Sequence, residues 1–169
     1  PERAWRAITQ WRTSWLSREG VFAVLTYLPA MLFLYGWARL DSGNQLTALA
    51  GLTGAILALI TVFTTAMIYA SLRSIHAWCN KWVPLNYLLI ALSTGLVLLN
   101  AFVAWFGAPS TMLKLAAIVA LGLAFAAKIA YWRFIDTSSG ASTAASAIGV
   151  SSGSRVNLTQ APHSETNYL

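Results

Sequence analysis

T-S-W-L-S-R-E-G-V-F, residues 13–22, places an arginine and a glutamate side by side at the mouth of a long apolar run. The run extends from Val21 to Leu40, enough to cross a bilayer if its helix starts about a turn earlier. A charge carried into hydrocarbon is costly unless it is paired or hydrated, so Arg18 and Glu19 need a reason to be there. One reading makes them interfacial caps, with Glu19 also favoured by the positive end of the helix dipole. The other makes Glu19 a proton-handling carboxylate that faces a protein-lined pocket.

Outward from this stretch the chain is apolar. Hydrophobic residues make up 57% of it and charged residues 9%, far from the composition of soluble domains. Three more segments of spanning length follow, Leu46–Tyr69, Leu85–Phe106 and Met112–Phe134. The expected fold is an all-α integral membrane protein: an antiparallel bundle of four transmembrane helices with a preceding amphipathic segment. Residues 1–20 form that segment, residues 21–135 the four-helix domain, and residues 136–169 a Ser/Ala/Gly-rich mobile loop or tail. The last is too poor in apolar groups to offset its ordering entropy. The chain opens at Pro1 without methionine or a signal-peptide pattern, and it reads as a piece of a longer protein.

Within residues 1–20, Trp5, Ile8, Trp11, Trp15 and Leu16 fall at helical spacing among Arg3, Arg6, Arg12 and Arg18. That pattern suits the headgroup layer or the approach to a docked subunit, and its continuation into a span argues against nucleic acid. Pro29 is a candidate kink in the first span, and Asp41-Ser42-Gly43-Asn44 reads as a turn. Ala50, Gly54 and Ala58 on the second span, and Ala116, Ala120, Ala124 and Ala127 on the fourth, read as packing stripes of small residues. Between spans two and three, Trp78 and Trp82 read as interface anchors, His76 as a hydrated loop residue and Pro84 as a loop-to-helix junction. Gly107-Ala108-Pro109-Ser110 is a short turn, and Lys128 lies close enough to the end of its span to snorkel.

Four spans put residues 1–20, the 70–84 loop and 136–169 on one side. That side holds nine basic residues, Arg3, Arg6, Arg12, Arg18, Arg73, Lys81, Lys128, Arg133 and Arg155, against Arg39 and Lys114 opposite. The positive-inside rule makes it cytoplasmic, in a bacterial cytoplasmic (inner) membrane. The same topology gathers Arg18, Glu19, Tyr69, Arg73, His76, Trp82 and Asn86 at one membrane face, which favours the pocket reading of Glu19.

The segments P-E-R-A-W-R-A, S-W-L-S-R-E and M-I-Y-A-S-L-R-S-I-H-A-W-C-N-K-W-V-P-L-N-Y resemble the membrane anchor subunit of the dimethyl sulfoxide reductase family. The resemblance covers about residues 1–135, and the closing A-P-H-S-E-T-N-Y-L is similar to the family's approach to its later helices. It implies an anchor that holds an iron–sulfur electron-transfer subunit and a molybdopterin catalytic subunit to the bilayer and exchanges electrons with quinone. The glutamate of the family's S-x-E segment, implicated in quinol binding, falls on Glu19. The full anchor has about eight spans, so this chain would lack the first and last ones. Partners of the dimethyl sulfoxide reductases face outward; a cytoplasmic partner resembles the sulfite-oxidising complexes instead.

Quinol oxidation releases two electrons and two protons, so a site needs a base, hydrogen-bond donors and an apolar slot. Glu19 is the candidate base. Arg18 or Arg73 would stabilise its charge and position a ring oxygen of menaquinone or ubiquinone. Tyr69 and Trp82 would line the slot, with His76 and Asn86 beside it. A haem is disfavoured, since His76 and His163 both lie outside the spans, and the lone Cys79 cannot hold a cluster. Iron–sulfur clusters and molybdopterin then belong to partner subunits, and this chain is itself non-catalytic. The competing readings are a small multi-span transporter gated by Glu19 and Arg73, and a purely structural anchor. Against the first, no second span repeats the break at Pro29 as an inverted repeat would.

Overall fold

The computed structural model describes residues 5–39, 44–73 and 75–138, and every regular element among them is helical. One helical turn, α1 (Arg6–Thr9), precedes four long helices: α2 (Trp15–Arg39), α3 (Gln45–Ala70), α4 (Trp82–Trp105) and α5 (Thr111–Thr137). All four are long and apolar enough to cross a membrane. At 24 to 27 residues they reach about 36–40 Å, more than the ~30 Å hydrocarbon core. The chain is a multi-pass helical membrane protein.

The helices outrun the apolar segments that announce them. α2 starts at Trp15, so Arg18 and Glu19 belong to its opening turns and not to a separate segment before it. α5 runs through Asp136 to Thr137, beyond the last apolar residue. Residues 139–169, the larger part of the expected tail, lie outside the described residues, as do Asp41, Ser42 and Gly43 of the expected turn.

The ends of the helices follow from local chemistry. Asn44 caps α3, its Oδ1 accepting from Leu46 N at 2.9 Å. After α4, Gly107 takes φ 77°, and the Gly107 and Ala108 amides donate back to Ala104 O and Val103 O. This left-handed stop is one that glycine adopts without a Cβ penalty. Ser110 then opens α5 by accepting from Leu113 N.

Between the helices the decisive factor is close approach, because lipid supplies little hydrophobic drive for two apolar helices to meet. Along α2 and α3, Gly36 faces Thr47, Phe33 faces Gly51, Pro29 and Ala30 face Gly54, and Glu19 meets Thr65. Numbers rise on one helix as they fall on the other, so the two run in opposite directions. On α5 the buried stripe is Ala117, Ala120, Ala124 and Ala127. Ala117 replaces the expected Ala116, which faces outward, because the seam follows alternating steps of three and four residues. It packs on α4, where Asn86 Nδ2 donates to Ala127 O at 3.4 Å. The middle pair meets where Tyr69 of α3 stacks on Tyr87 of α4, ring centroids 5.8 Å apart.

Helix contacts follow chain order, and among the described residues α2 touches neither α4 nor α5. The four-helix bundle is therefore open on that side. Leu28, Leu32, Leu98, Ile118 and Phe125 point outward, as helices solvated by lipid require. Hydroxyls inside the spans are satisfied locally: Thr53, Thr61 and Thr94 bond the carbonyl four residues back.

Gly36 makes the tightest of these approaches. A Cβ there would overlap the Thr47 hydroxyl and come within 3.0 Å of Thr47 Cβ and Cγ2. Gly36→Ala should therefore force α2 and α3 apart, at a cost of about 1–3 kcal/mol. The thermal midpoint in detergent should fall; an unchanged midpoint would show that this contact does not set the spacing.

Candidate functional site

Glu19 is half-buried on α2, and its Oε1 lies 2.7 Å from Thr65 Oγ1 on α3. The same hydroxyl lies 2.9 Å from Thr61 O, one turn back. A hydroxyl has one hydrogen and two lone pairs, so this arrangement satisfies Glu19 in either protonation state. The ionised carboxylate accepts from Thr65. The protonated acid donates to Thr65 Oγ1, whose hydrogen then turns to Thr61 O. A carboxylate meant only to cap a helix has no need of such a partner.

Arg18, its neighbour in sequence, is directed elsewhere. Its Nε donates to Trp11 O at 2.8 Å, its Nη2 donates to Arg12 O at 2.6 Å, and its guanidinium lies 4.2 Å from the Trp15 ring centroid. Ser17 Oγ adds a bond to Ile8 O at 3.1 Å. Together they pin the N-terminal segment against the start of α2, which is what a planar five-donor fork does well. The guanidinium is thus spent on the leader and does not pair with Glu19.

Thr65 also lines a cleft of about 400 Å³ between α3 and α4, walled by Val62, Tyr87, Ile90 and Ala91. Beyond Tyr87 and Ile90 a second cavity, about 270 Å³, lies against α5. Tyr69, Trp78, Tyr87 and Tyr131 form its aromatic walls, and Asn86 and Lys128 supply its polar atoms. Tyr131 is held by donating to Ala77 O at 2.9 Å, and Trp78 stands edge-on to Tyr69. Lys128 Nζ lies 4.9 Å from the Tyr131 ring centroid and 5.6 Å from that of Trp132, extended toward the end of α5 as a snorkelling lysine is. A larger groove of about 580 Å³ runs between α2 and α3 nearer their other ends, but leucines dominate it and it contains no carboxylate.

The sequence profile of the DMSO reductase anchor subunit (DmsC) matches residues 1–153. The chain belongs to the DMSO reductase anchor subunit family. It is also similar to a subunit of the sulfite dehydrogenase of Allochromatium vinosum, 35% identical over 173 residues, which takes in 95% of this chain and 53% of that protein. The chain thus spans about half the length of this curated relative. No solved structure matches it.

Against this DmsC-family background, three of the seven expected site residues converge. Tyr69 and Asn86 line the cavity against α5, and Glu19 is tied to the adjoining cleft through Thr65. The other four lie outside both clefts. Arg18 binds the N-terminal segment, and Arg73 is exposed in the turn after α3. His76 stacks on Phe134, and Trp82 sits half-buried at the start of α4 with its carbonyl accepting from Asn86.

Thr65, Trp78, Tyr87, Lys128 and Tyr131 are the residues that sequence reasoning passed over. Lys128 carried a signal, a cation well inside an apolar span with Tyr131 one turn on. Thr65 carried none, being one of several threonines on α3 that bond their own helix.

The residues present fit a quinone head group. Such a ring needs flat apolar walls, a few donors and acceptors for its oxygens, and a nearby proton acceptor. Tyr87 supplies a wall common to both clefts, and Asn86 Oδ1 is a buried acceptor without a partner among the described residues. Glu19 stands one hydrogen bond behind the Thr65 wall.

Proposed function

We propose that this chain is the membrane anchor of an oxidoreductase complex, holding an iron–sulfur electron-transfer subunit and a molybdopterin catalytic subunit to the bilayer, and that the complex exchanges electrons with membrane quinone at the clefts around Tyr87. The observation that carries the reading is the Glu19–Thr65 pair set beside an apolar cleft. When bound, a quinone/quinol couple supplies transfer of two electrons and two protons. The chain's residues do the rest. Val62, Ile90 and Ala91 keep water from the α3–α4 cleft, Tyr87 holds the ring, and Glu19 takes or returns a proton through Thr65, whose hydroxyl can serve in both directions.

The relative named as a sulfite dehydrogenase subunit supports the sulfite-oxidising branch, in which electrons flow into quinone. The basic excess supports docking of the partner on the cytoplasmic face that carries Glu19. In a Cys79→Ser background, cysteines introduced at Ser42 and Ser152 report this directly. An impermeant thiol reagent added to intact cells should mark position 42 and spare position 152; the reverse would move the partner subunits outside.

Purification of the intact protein from its native membranes tests the function. Co-purification with a subunit containing molybdenum and one containing iron–sulfur clusters, together with quinone-linked turnover, is the expected result. Partners without quinone turnover would make the chain a purely structural anchor, and no partner at all would return it to the transporter reading.

A further inference from the structure

The cavity against α5 contains an asymmetry that the proton-handling role of Glu19 does not use. Asn86 is 5% exposed, and its two amide hydrogens are directed at backbone carbonyls, Trp82 O at 2.8 Å and Ala127 O at 3.4 Å. Two carbonyls on one side fix which way the amide faces, because swapping its nitrogen and oxygen would set acceptor against acceptor. Oδ1 is therefore left as a buried acceptor, and it has no donor among the described residues. Such a group is destabilising unless something brings it a hydrogen. Lys128 lines the same cavity as a donor with no acceptor capacity, and no carboxylate lines the cavity with it.

A ligand that completes this site presents one oxygen able to donate to Asn86 Oδ1 and to accept from Lys128 Nζ. A ring hydroxyl does both, whereas a ring carbonyl can only accept. The four aromatic walls, Tyr69, Trp78, Tyr87 and Tyr131, fit a flat ring beneath that oxygen, and about 270 Å³ is room for one. We propose that this cavity is the subsite that selects the reduced, hydroxyl-bearing form of the quinone. Asn86 accepts the ring O–H, and Lys128 donates to the same oxygen. The inference rests on the reading of the chain as a quinone-exchanging anchor and adds two specificity-determining residues to it.

Isothermal titration of the intact complex in lipid nanodiscs tests it, with 2-methyl-1,4-naphthoquinol kept reduced under anaerobic conditions and 2-methyl-1,4-naphthoquinone as the two probes. The wild-type complex should bind the quinol about tenfold more tightly than the quinone, the effect of one hydrogen bond made or left unmade. Asn86→Leu should abolish that preference. Because Asn86 also ties α4 to α5, this variant can fail to assemble; Lys128→Met, which keeps an apolar stem of similar length, then decides alone. It should weaken quinol binding about tenfold. Wild-type quinol affinity in Lys128→Met, or equal wild-type affinity for the two probes, overturns the assignment. If quinol affinity falls in Tyr87→Ala but not in Lys128→Met, the ring lies in the α3–α4 cleft: the subsite assignment is wrong and the proposed function stands. If neither probe binds the wild-type complex and Glu19→Gln leaves quinone turnover intact, both are wrong.

Discussion

Glu19→Gln should lower quinone-coupled turnover by about a hundredfold or more, the loss typical of removing a positioned general base, while leaving assembly intact. Glutamine keeps the size of the side chain, and its amide can still donate to Thr65 Oγ1, so the α2–α3 contact at this level survives. What it cannot do is take a proton. An interfacial carboxylate contributes only about 1 kcal/mol to a helix end, too little for its loss to unfold four packed helices. Turnover with a soluble artificial electron carrier, which bypasses the membrane, should therefore remain at the wild-type level. Thr65→Val should reproduce part of the defect, and Thr65→Ser should restore it, because the hydroxyl and not the methyl group carries the relay. Quinone turnover unchanged in Glu19→Gln would return Glu19 to the capping role. Failed assembly would make it a docking residue.

The second large effect is expected at Tyr87, the side chain that forms a wall of both clefts and stacks on Tyr69. Tyr87→Ala would merge the two spaces and remove a face on which a ring can lie. Stacked aromatic pairs contribute about 0.5–1.5 kcal/mol beyond area, and the emptied volume adds to that, so the KM for quinone should rise by roughly ten- to a hundredfold. Turnover with the artificial carrier should again be spared. Tyr87→Phe separates ring from hydroxyl: it should behave like wild type if the wall is what matters. A Phe variant as impaired as the Ala variant would instead assign the work to the phenol oxygen.

The fold was legible because each span is a long apolar run ended by turn chemistry, and the signals that mark such runs are local. Asn44, Gly107 and Ser110 each do at the helix ends what their residue types suggest. The limits of α2 were harder to place, since Trp15, Ser17, Arg18 and Glu19 look like an interfacial segment by composition. Only the bonds from Ser17 and Arg18 back to residues 8, 11 and 12 show that the helix begins there and folds its own leader against itself. The site was legible where a polar residue stood out against apolar neighbours, as Glu19 and Asn86 do. It was not legible where function depends on which helix faces which. Adjacency in sequence suggested that Arg18 pairs with Glu19, yet consecutive residues on a helix point about 100° apart, and the partner of Glu19 comes from α3. Tyr87 is unremarkable in sequence and acquires its place only when α3 and α4 meet.

Photo-crosslinking with an azido-quinone in native membranes, followed by peptide mapping, tests most directly whether this chain takes quinone at the clefts around Tyr87. Adducts should fall on peptides covering residues 62–69 and 83–91, with a further share around Lys128 and Tyr131, and excess unmodified quinone should suppress them. Adducts confined to the leucine-lined groove near Leu28, Leu32 and Leu46, or labelling that unmodified quinone does not compete away, would contradict the account.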